Sequence, residues 1–356
     1  MKMKRVILAA LVMVLAFALM PINAEAASTK LNKKKLTLTV GASEWLYLKN
    51  APAGEQTWSS NKKKVATVDQ FGKVTAKKTG TAKITVKVND KKYTCTVKVI
   101  KKNASDVAAL KKLIKAQKKK GATVPSDLNA SNYTWDDKGR LVRISWFGYK
   151  LKGSISFAAF KELKILYCGY NKLTKLDVSK NTKLEELDCY SNQLKSLNVS
   201  NNKKLTYLSC EWNKLKKLDV SNHKKLKTLN CWSNKLTSLN VKNCTELRDL
   251  SCGGNQLKSL NVSSNKKLKA LYCYSNKLEK LNVENNKKLI NLSCYSNKLK
   301  SLNVKKNTKL EALWCHSNKI SKLDLSKNTK LTYLDCDSTV KVTGYSGNVY
   351  NDDYDD

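Results

Sequence analysis

The cysteines are the residues whose type and spacing most clearly suggest chemistry. The chain of 356 residues holds eleven cysteines, and nine of them recur every 21 residues from Cys168 to Cys336. Thiols can bind zinc or act as nucleophiles, but the series has no CxxC pair of the kind that zinc sites use. A nucleophilic cysteine also needs a base, and the only histidines, His223 and His316, lie more than four intervals apart. The spacing therefore predicts buried free thiols that act as small hydrophobic residues.

Disulfides are the other chemistry open to these thiols. An exported protein with many cysteines usually pairs them, and neighbouring members of a stacked series lie close enough to bond. Side chains at equivalent positions of a repeat, however, point in parallel into the core rather than at one another. A bond between Cys95 and Cys244, which lie outside the series, is left open by the sequence.

Acid and base catalysis is weakly supported. Glu186 and Asp188 form a close carboxylate pair that could in principle transfer protons. No spacing of serine, cysteine, histidine and carboxylate suggests a triad, and carboxylates on a regular repeat are solvated or meet a basic partner. The sequence predicts no catalytic residue, no metal site and no cofactor.

The element that must position these residues is a repeat. Leucines recur with the same period of 21 from Leu163, in the unit LxxLxCxxNxLxxL[D/N]VSxNxx. One copy offers about six inward apolar side chains, worth roughly 1.5 to 3 kcal/mol each for the larger ones. Ordering 21 residues costs roughly 1 to 2 kcal/mol per residue, so a single copy cannot fold alone and the copies must stack.

The repeat resembles a short bacterial leucine-rich repeat, and its cysteine resembles the cysteine ladder of some internalins. The resemblance covers Leu163 to Cys336 and implies a right-handed solenoid with a parallel β-sheet over residues 163–338. Residues 339–356 are then a C-terminal cap and an acidic tail.

Two asparagine columns accompany the leucines. Asparagine amides can both donate to and accept from turn backbone that is otherwise unpaired, so we expect them at the ends of the strands. In the second column, His223 and Cys244 replace asparagine in two successive copies. We interpret this as tolerated drift, with a functional notch as the alternative.

The outward positions of each copy predict the binding surface. Counting from the first leucine, positions three, five, seven and eight face outward around the strand, on the concave face that partners of this repeat class usually occupy. None of these positions is lysine or arginine, and aromatic residues are frequent, as at protein hot spots and sugar-stacking sites. The candidate binding residues are Tyr167, Tyr170, Tyr190, Tyr207, Trp212, Trp232, Tyr272, Tyr274, Tyr295, Trp314 and His316.

Lysines occupy other positions of the repeat. The formal net charge is +40, and lysines recur at positions such as Lys214 and Lys235 and in pairs such as Lys203-Lys204. Stacking would turn them into ladders, which form either a solvated surface or a docking surface for anionic cell-wall polymers or mucin-like glycans. A nucleic-acid partner inside the cell is not expected, because no basic stripe interleaved with aromatic residues occurs.

The region before the repeat divides into four parts. Residues 1–26 read as a signal peptide, with basic residues, a short apolar run and small residues before the cleavage point. Residues 28–101 alternate β-branched and polar residues, and segments such as Trp58-Ser-Ser-Asn61 and Gly72-Lys-Val-Thr-Ala76 resemble a bacterial Ig-like domain of group 2, which implies a spacer or adhesion module. Residues 102–140 are expected to form a helical linker and cap, with a helix from Val107 to Lys120, and residues 141–162 an irregular capping repeat.

The expected fold is mainly β: an N-terminal Ig-like β-sandwich, a short connecting helix and a leucine-rich-repeat solenoid. The expected protein is secreted, and is released or associated with the cell surface, with no membrane span in its mature part. It is expected to bind a protein or carbohydrate ligand at a host or bacterial surface and not to be an enzyme. The alternative is a structural wall-associated protein that its lysine ladders hold to anionic polymers.

Overall fold

The computed structural model describes residues 28–350, which form two compact units with their boundary between Ile100 and Lys101. The predicted signal peptide and the acidic residues from 351 onward lie outside the described residues. The predicted fold class, mainly β with an Ig-like domain and a leucine-rich-repeat solenoid, is confirmed.

The N-terminal unit is built from two main sheets. One sheet has the order β2-β9-β8-β5 and the other the order β3-β7-β6, while β1 pairs with β4. Alternate residues of β8, such as Ile84 and Val86, are fully buried between the sheets, as the period of two requires. The strands are β1 Lys30–Leu31, β2 Lys35–Thr39, β3 Ser43–Trp45, β4 Leu48–Lys49, β5 Thr57–Ser60, β6 Ala66–Val68, β7 Lys73–Ala76, β8 Gly80–Val88 and β9 Lys91–Ile100.

A helix and a cap begin the second unit. Helix α1 spans Ala104–Lys119, and the side chain of Asn103 caps it by accepting a hydrogen bond from the backbone N–H of Asp106. Strands β10 Tyr133–Trp135, β11 Leu141–Ser145 and β12 Lys152–Ser156 follow. Trp146, Phe157 and Phe160 are almost completely buried beneath them, so bulky side chains cover the first copy of the repeat.

The solenoid carries one long sheet in the order β10-β11-β13-β15-β16-β18-β20-β21-β22-β23-β25-β27, and all its neighbours are parallel except the first pair. Short strands on another side pair as β12-β14, β17-β19 and β24-β26. The remaining strands are β13 Ile165–Tyr167, β14 Lys172–Asp177, β15 Glu186–Asp188, β16 Tyr207–Ser209, β17 Lys217–Asp219, β18 Thr228–Asn230, β19 Ser238–Asn240, β20 Asp249–Ser251, β21 Ala270–Tyr272, β22 Asn291–Ser293, β23 Ala312–Trp314, β24 Lys322–Asp324, β25 Tyr333–Asp335, β26 Lys341–Thr343 and β27 Val349–Tyr350.

Adjacent coils are in register from one copy to the next. Glu186 lies opposite Tyr207 and Leu187 opposite Leu208, so equivalent positions of the repeat form columns along the sheet. The leucine columns are buried, and the nine cysteines form one further buried column. Each coil thereby covers the apolar side of its neighbour. This stacking is expected, because a single copy buries too little apolar surface to offset its loss of conformational entropy.

Asparagine side chains join each coil to the one before it. The Nδ2 of Asn192 donates to the carbonyls of Cys168 and Cys189, and its Oδ1 accepts from the backbone N–H of Leu173 at 2.9 Å. In the second column, Asn202 donates to the carbonyls of Val178 and Asn181. The first column therefore both donates and accepts, as expected, and does so between coils as well as within them. The second column only donates, because its buried Oδ1 atoms, such as that of Asn202, have no partner among the described residues.

His223 and Cys244 take the place of two members of the second column. The Nδ1 and Nε2 atoms of His223 lie 2.7 Å and 3.0 Å from the carbonyl oxygens of Val220 and Val199, and the Sγ of Cys244 donates to the carbonyl of Val220. Both side chains are fully buried. They contact the same kind of backbone group as asparagine does, which supports drift rather than a notch that a partner could enter.

All eleven cysteines are buried thiols. Cys95 belongs to the core of the N-terminal unit and Cys244 to that of the repeat unit, so the bond that the sequence left open is not formed. Burial raises the pKa of Cys95 and of Cys336, at the end of the ladder, to about 11.

We expect the native protein to be inert toward a thiol reagent. Burial excludes the reagent and the raised pKa removes the reactive thiolate. Titration with Ellman's reagent should detect almost no thiol in the native protein and eleven after denaturation without reductant. A smaller number after denaturation would reveal disulfides and contradict the ladder.

We expect His223→Asn to be tolerated, because asparagine restores the donor pattern of the neighbouring coils. His223→Leu removes the polar contacts to the two carbonyls and should lower the free energy of unfolding by about 1 to 3 kcal/mol. Thermal unfolding followed by circular dichroism compares the two variants. A lower melting temperature for His223→Asn than for His223→Leu would show that the histidine has another role.

Candidate functional site

The outward face of the long sheet, from β13 to β25, carries the residues predicted to bind a partner. The register places the outward positions of successive coils side by side, and none of them is lysine or arginine. The capping strand β11 adds Arg143, whose guanidinium lies 5.3 Å from the centre of the Tyr167 ring. The repeat pattern could not identify Arg143, because it precedes the first regular copy.

Four aromatic residues gather at the N-terminal end of this face. Phe147 lies 5.9 Å from Tyr170 and 5.8 Å from Tyr190 between ring centres. These three residues line a shallow groove of about 360 Å³ together with Ser191 and Trp212. We call this set the aromatic groove. The sequence missed Phe147, and the only signal was its place in the aromatic segment Trp146-Phe147-Gly148-Tyr149 just before the repeat.

A second aromatic cluster lies toward the C-terminal end. Tyr274 stacks on Tyr295 at 4.8 Å with the ring planes 3° apart, and Tyr295 stacks on His316 at 4.6 Å. The Nε2 of His316 lies 3.5 Å from a carboxylate oxygen of Asp335. Beside this stack, Trp314 packs on Tyr333 at 5.1 Å.

The ring contacts among the eleven predicted residues fall into two clusters. Trp232 packs edge-on against Trp212 at 5.0 Å and extends the first cluster, whereas the next coil has Gly253 and Gly254 at the equivalent positions. A side chain at Gly253 would meet the ring of Tyr274, since a Cβ there would lie 2.6 Å from it. The glycine thus makes room for the Tyr274 ring and separates the two clusters.

The remaining predicted residues lie on the strands themselves. Tyr167, Tyr207 and Tyr272 are partly exposed, and the hydroxyl of Tyr167 donates to the carboxylate of Glu186. Burial, together with Glu186, raises the pKa of Tyr167 to about 12, so this hydroxyl keeps its proton.

Tyr170 and Trp212 adopt an unusual backbone conformation for large side chains. Their φ angles are 54° and 53°, in the left-handed region. Most other coils have serine at this position, as at Ser233 and Ser275, and one has Gly254. Bulky residues are rare in this region and tend to be kept there for function.

Two carboxylates border the aromatic groove. Burial is the main cause that raises the pKa of Asp188, to about 6, and its neighbour Glu211 raises it further, whereas the N–H of Tyr190 lowers it. Burial also raises the pKa of Glu211, which accepts a hydrogen bond from Ser209 at 2.8 Å. Among residues 28–350, no lysine or arginine forms an ion pair with either carboxylate. The groove lining is therefore aromatic, with two carboxylates beside it, in a strongly basic protein.

Other kinds of site find no support in the described part of the chain. No group of three or more histidine, cysteine or acidic residues there could hold a metal ion. No helix there is long and apolar enough to cross a membrane.

The family comparison identifies the same N-terminal Ig-like domain as the fold does. Residues 25–99 match the model of the bacterial Ig-like domain (group 2). The chain thus joins a bacterial Ig-like domain to a leucine-rich-repeat solenoid with a cysteine ladder, as the sequence predicted. This combination suggests a surface role in binding or adhesion. No curated protein matches the sequence.

Several solved structures are similar to the solenoid. The functional domain of the internalin InlJ from Listeria monocytogenes, which includes a cysteine ladder, is 32% identical over 56% of this chain and 53% of that chain, with a TM-score of 0.47. The leucine-rich-repeat ectodomain of the receptor kinase GASSHO1/SCHENGEN3 from Arabidopsis thaliana is 16% identical over 64% of this chain and 35% of that chain, with a TM-score of 0.51. PEPR1 in the PEPR1-AtPEP1 complex is 19% identical over 69% and 42% of the two chains, with a TM-score of 0.50. The chain spans about half of the InlJ structure and less of the two receptor structures, which share its fold.

We expect the stability of the protein to depend on the ionisation of Asp188. Its folded pKa of about 6 lies above its ordinary value of 3.8, so between these values the folded protein holds a proton that the unfolded chain releases. This contribution is present at low pH and is lost as the pH rises from about 4 to about 6. Asp188→Asn should therefore stabilise the protein at pH 7, by on the order of 1 kcal/mol after allowance for solvent screening.

Chemical denaturation at pH 4 and at pH 7 measures this effect. Asp249→Asn is the matched control, because Asp249 is an exposed carboxylate on the same face. If Asp188→Asn raised the free energy of unfolding equally at pH 4 and at pH 7, the raised pKa of Asp188 would be contradicted.

Proposed function

We propose that this protein is exported and associated with a cell surface, and that it binds a protein or glycan partner through the concave face of its repeats. One observation carries the proposal: in the nine regular copies, the outward columns contain aromatic and acidic residues but no lysine or arginine, in a chain with 68 lysine and arginine residues. The lysine-free face is thus distinct from the rest of the solenoid surface.

The composition of this face suits macromolecular recognition. Tyrosine and tryptophan dominate binding energy at interfaces, where they lose little conformational freedom and present both apolar and polar atoms. The rigid stacking of in-register coils holds the side chains in place before binding, which reduces the entropy cost of association. The Ig-like domain then serves as a spacer that carries the solenoid.

The test replaces five aromatic residues of this face by alanine: Tyr190, Trp212, Trp232, Tyr274 and Trp314. We expect at least a tenfold loss of binding to extracts of bacterial or host surfaces, because truncation of a hot-spot residue costs about 2 kcal/mol or more. Surface plasmon resonance measures the binding, and circular dichroism checks the fold.

A matched control replaces lysines of the ladders, Lys214, Lys235 and Lys277, by glutamine. This variant should bind as the wild type does. Unchanged binding by the aromatic variant would refute the concave face as the binding surface.

A second candidate function is attachment to anionic cell-wall polymers. A cavity of about 510 Å³ away from the concave face is lined by Lys287, Lys305, Lys306 and Lys327, with Asn303 and Thr308. Such a cationic surface attracts polyanions in a manner that salt screens. The test replaces Lys287, Lys305, Lys306 and Lys327 by glutamine. Binding to purified cell walls that disappears in high salt and in this variant, but not in the aromatic variant, would favour this function.

A further inference from the structure

The two aromatic clusters differ in how much of their ring surface is exposed. In the C-terminal cluster, Tyr274, Tyr295 and His316 stack face to face, so each ring covers the face of its neighbour. In the aromatic groove, Phe147, Tyr170 and Trp212 keep 48%, 65% and 54% of their surface exposed. Phe147 and Tyr170 also stack, at 5.9 Å, but of the two clusters the groove leaves more ring surface exposed on which a ligand can stack.

The backbone at the groove supports a role in binding. Tyr170 and Trp212 occupy the left-handed conformation that serine or glycine occupies in most of the other coils. Their exposed rings contribute little to the core in return for this strain. Their ring contacts are with other groove or surface aromatics, Phe147 and Trp232. Because strained backbone conformations cluster at ligand-binding sites, the strain supports a binding role for the groove.

The dimensions of the groove suit a short oligosaccharide. Tyr170 and Trp212 belong to coils two apart, and neighbouring strands lie about 4.8 Å apart, so the two backbones are separated by about 10 Å. Two linked sugar rings have a similar length. Tyr190 and Ser191 of the intervening coil add hydroxyl groups between the two platforms.

The chemistry of the lining also fits a sugar better than a protein. The groove contains rings and one serine but no aliphatic side chain, and aromatic faces pack against the C–H faces of pyranose rings. The groove is also small, whereas a stable protein interface covers about 800 Å² on each partner.

Charge selects among glycans. Asp188 and Glu211 adjoin the lining residues: the Oδ1 of Asp188 accepts a hydrogen bond from the N–H of Tyr190 at 3.3 Å, and the backbone carbonyl of Glu211 accepts one from the N–H of Ser191 at 2.9 Å. Their oxygens can accept hydrogen bonds from sugar hydroxyls, and ionised carboxylates repel sialic acids, uronic acids and sulfated sugars. The described groove has no lysine or arginine that would compensate this repulsion.

We infer that the groove lined by Phe147, Tyr170, Tyr190, Ser191 and Trp212 is a subsite for an uncharged glycan and holds about two sugar rings. The inference rests on the proposed function and assigns the ligand class and the place of binding on the concave face. Tyr170 and Trp212 form the stacking platforms, while Asp188 and Glu211 exclude acidic sugars.

The test uses the full chain on a glycan array that carries neutral, sialylated, uronate and sulfated oligosaccharides, in physiological salt. We expect binding to a group of neutral glycans. Titration with the best soluble neutral glycan should quench tryptophan fluorescence, and Trp212→Ser and Tyr170→Ser should each weaken its binding at least tenfold. Serine is the residue of the equivalent column, so both variants should fold, and the melting temperature checks this.

Trp45→Ser is the matched control, because it removes a half-exposed tryptophan of strand β3 in the N-terminal unit, outside the repeats. It should bind the glycan as the wild type does. Absence of neutral glycan binding, equal binding of acidic glycans, or unchanged binding by the two groove variants would overturn the inference. If no glycan binds but the five-residue aromatic variant still loses a surface protein partner, the inference fails while the proposed function stands.

Discussion

Equal coil length is the constraint on which the rest of the structure depends, and the side chain of asparagine enforces it. Asn192 contacts carbonyls of its own coil and of the preceding coil, and accepts an N–H from that same preceding coil. These groups meet only if each coil returns after the same number of residues. An insertion would break the contacts on both sides, so the repeat keeps its period of 21 and its columns stay aligned.

Because the columns are aligned, each position of the repeat forms one column, and the residue types at that position decide whether the column is apolar, charged or aromatic. Leucine and cysteine columns form the core, and lysines are confined to positions away from the concave face. No lysine or arginine therefore lines the groove, and the charged side chains next to its lining are Asp188 and Glu211. A basic protein can in this way present an acidic binding surface.

The period allowed the coils, the core and the outward columns to be predicted, because each follows from register alone. Ring orientation could not be predicted in this way. Tyr274 leans toward the space left by Gly253 and stacks on Tyr295, and both contacts depend on the residues of neighbouring coils. Phe147 and Arg143 were missed because they lie in the cap, where the period does not apply. The left-handed φ angles of Tyr170 and Trp212 support a binding role for their exposed rings, and these angles could not be predicted from the composition.

The column of reduced thiols also affects the fate of the protein after it unfolds. In the folded chain each sulfur is shielded and protonated, but loss of structure exposes eleven thiols together in one chain. In an oxidising medium they form thiolates and cross-link at random, which prevents refolding. The working lifetime of the molecule under such conditions is then governed by the height of its unfolding barrier, and not by the equilibrium between the folded and unfolded states.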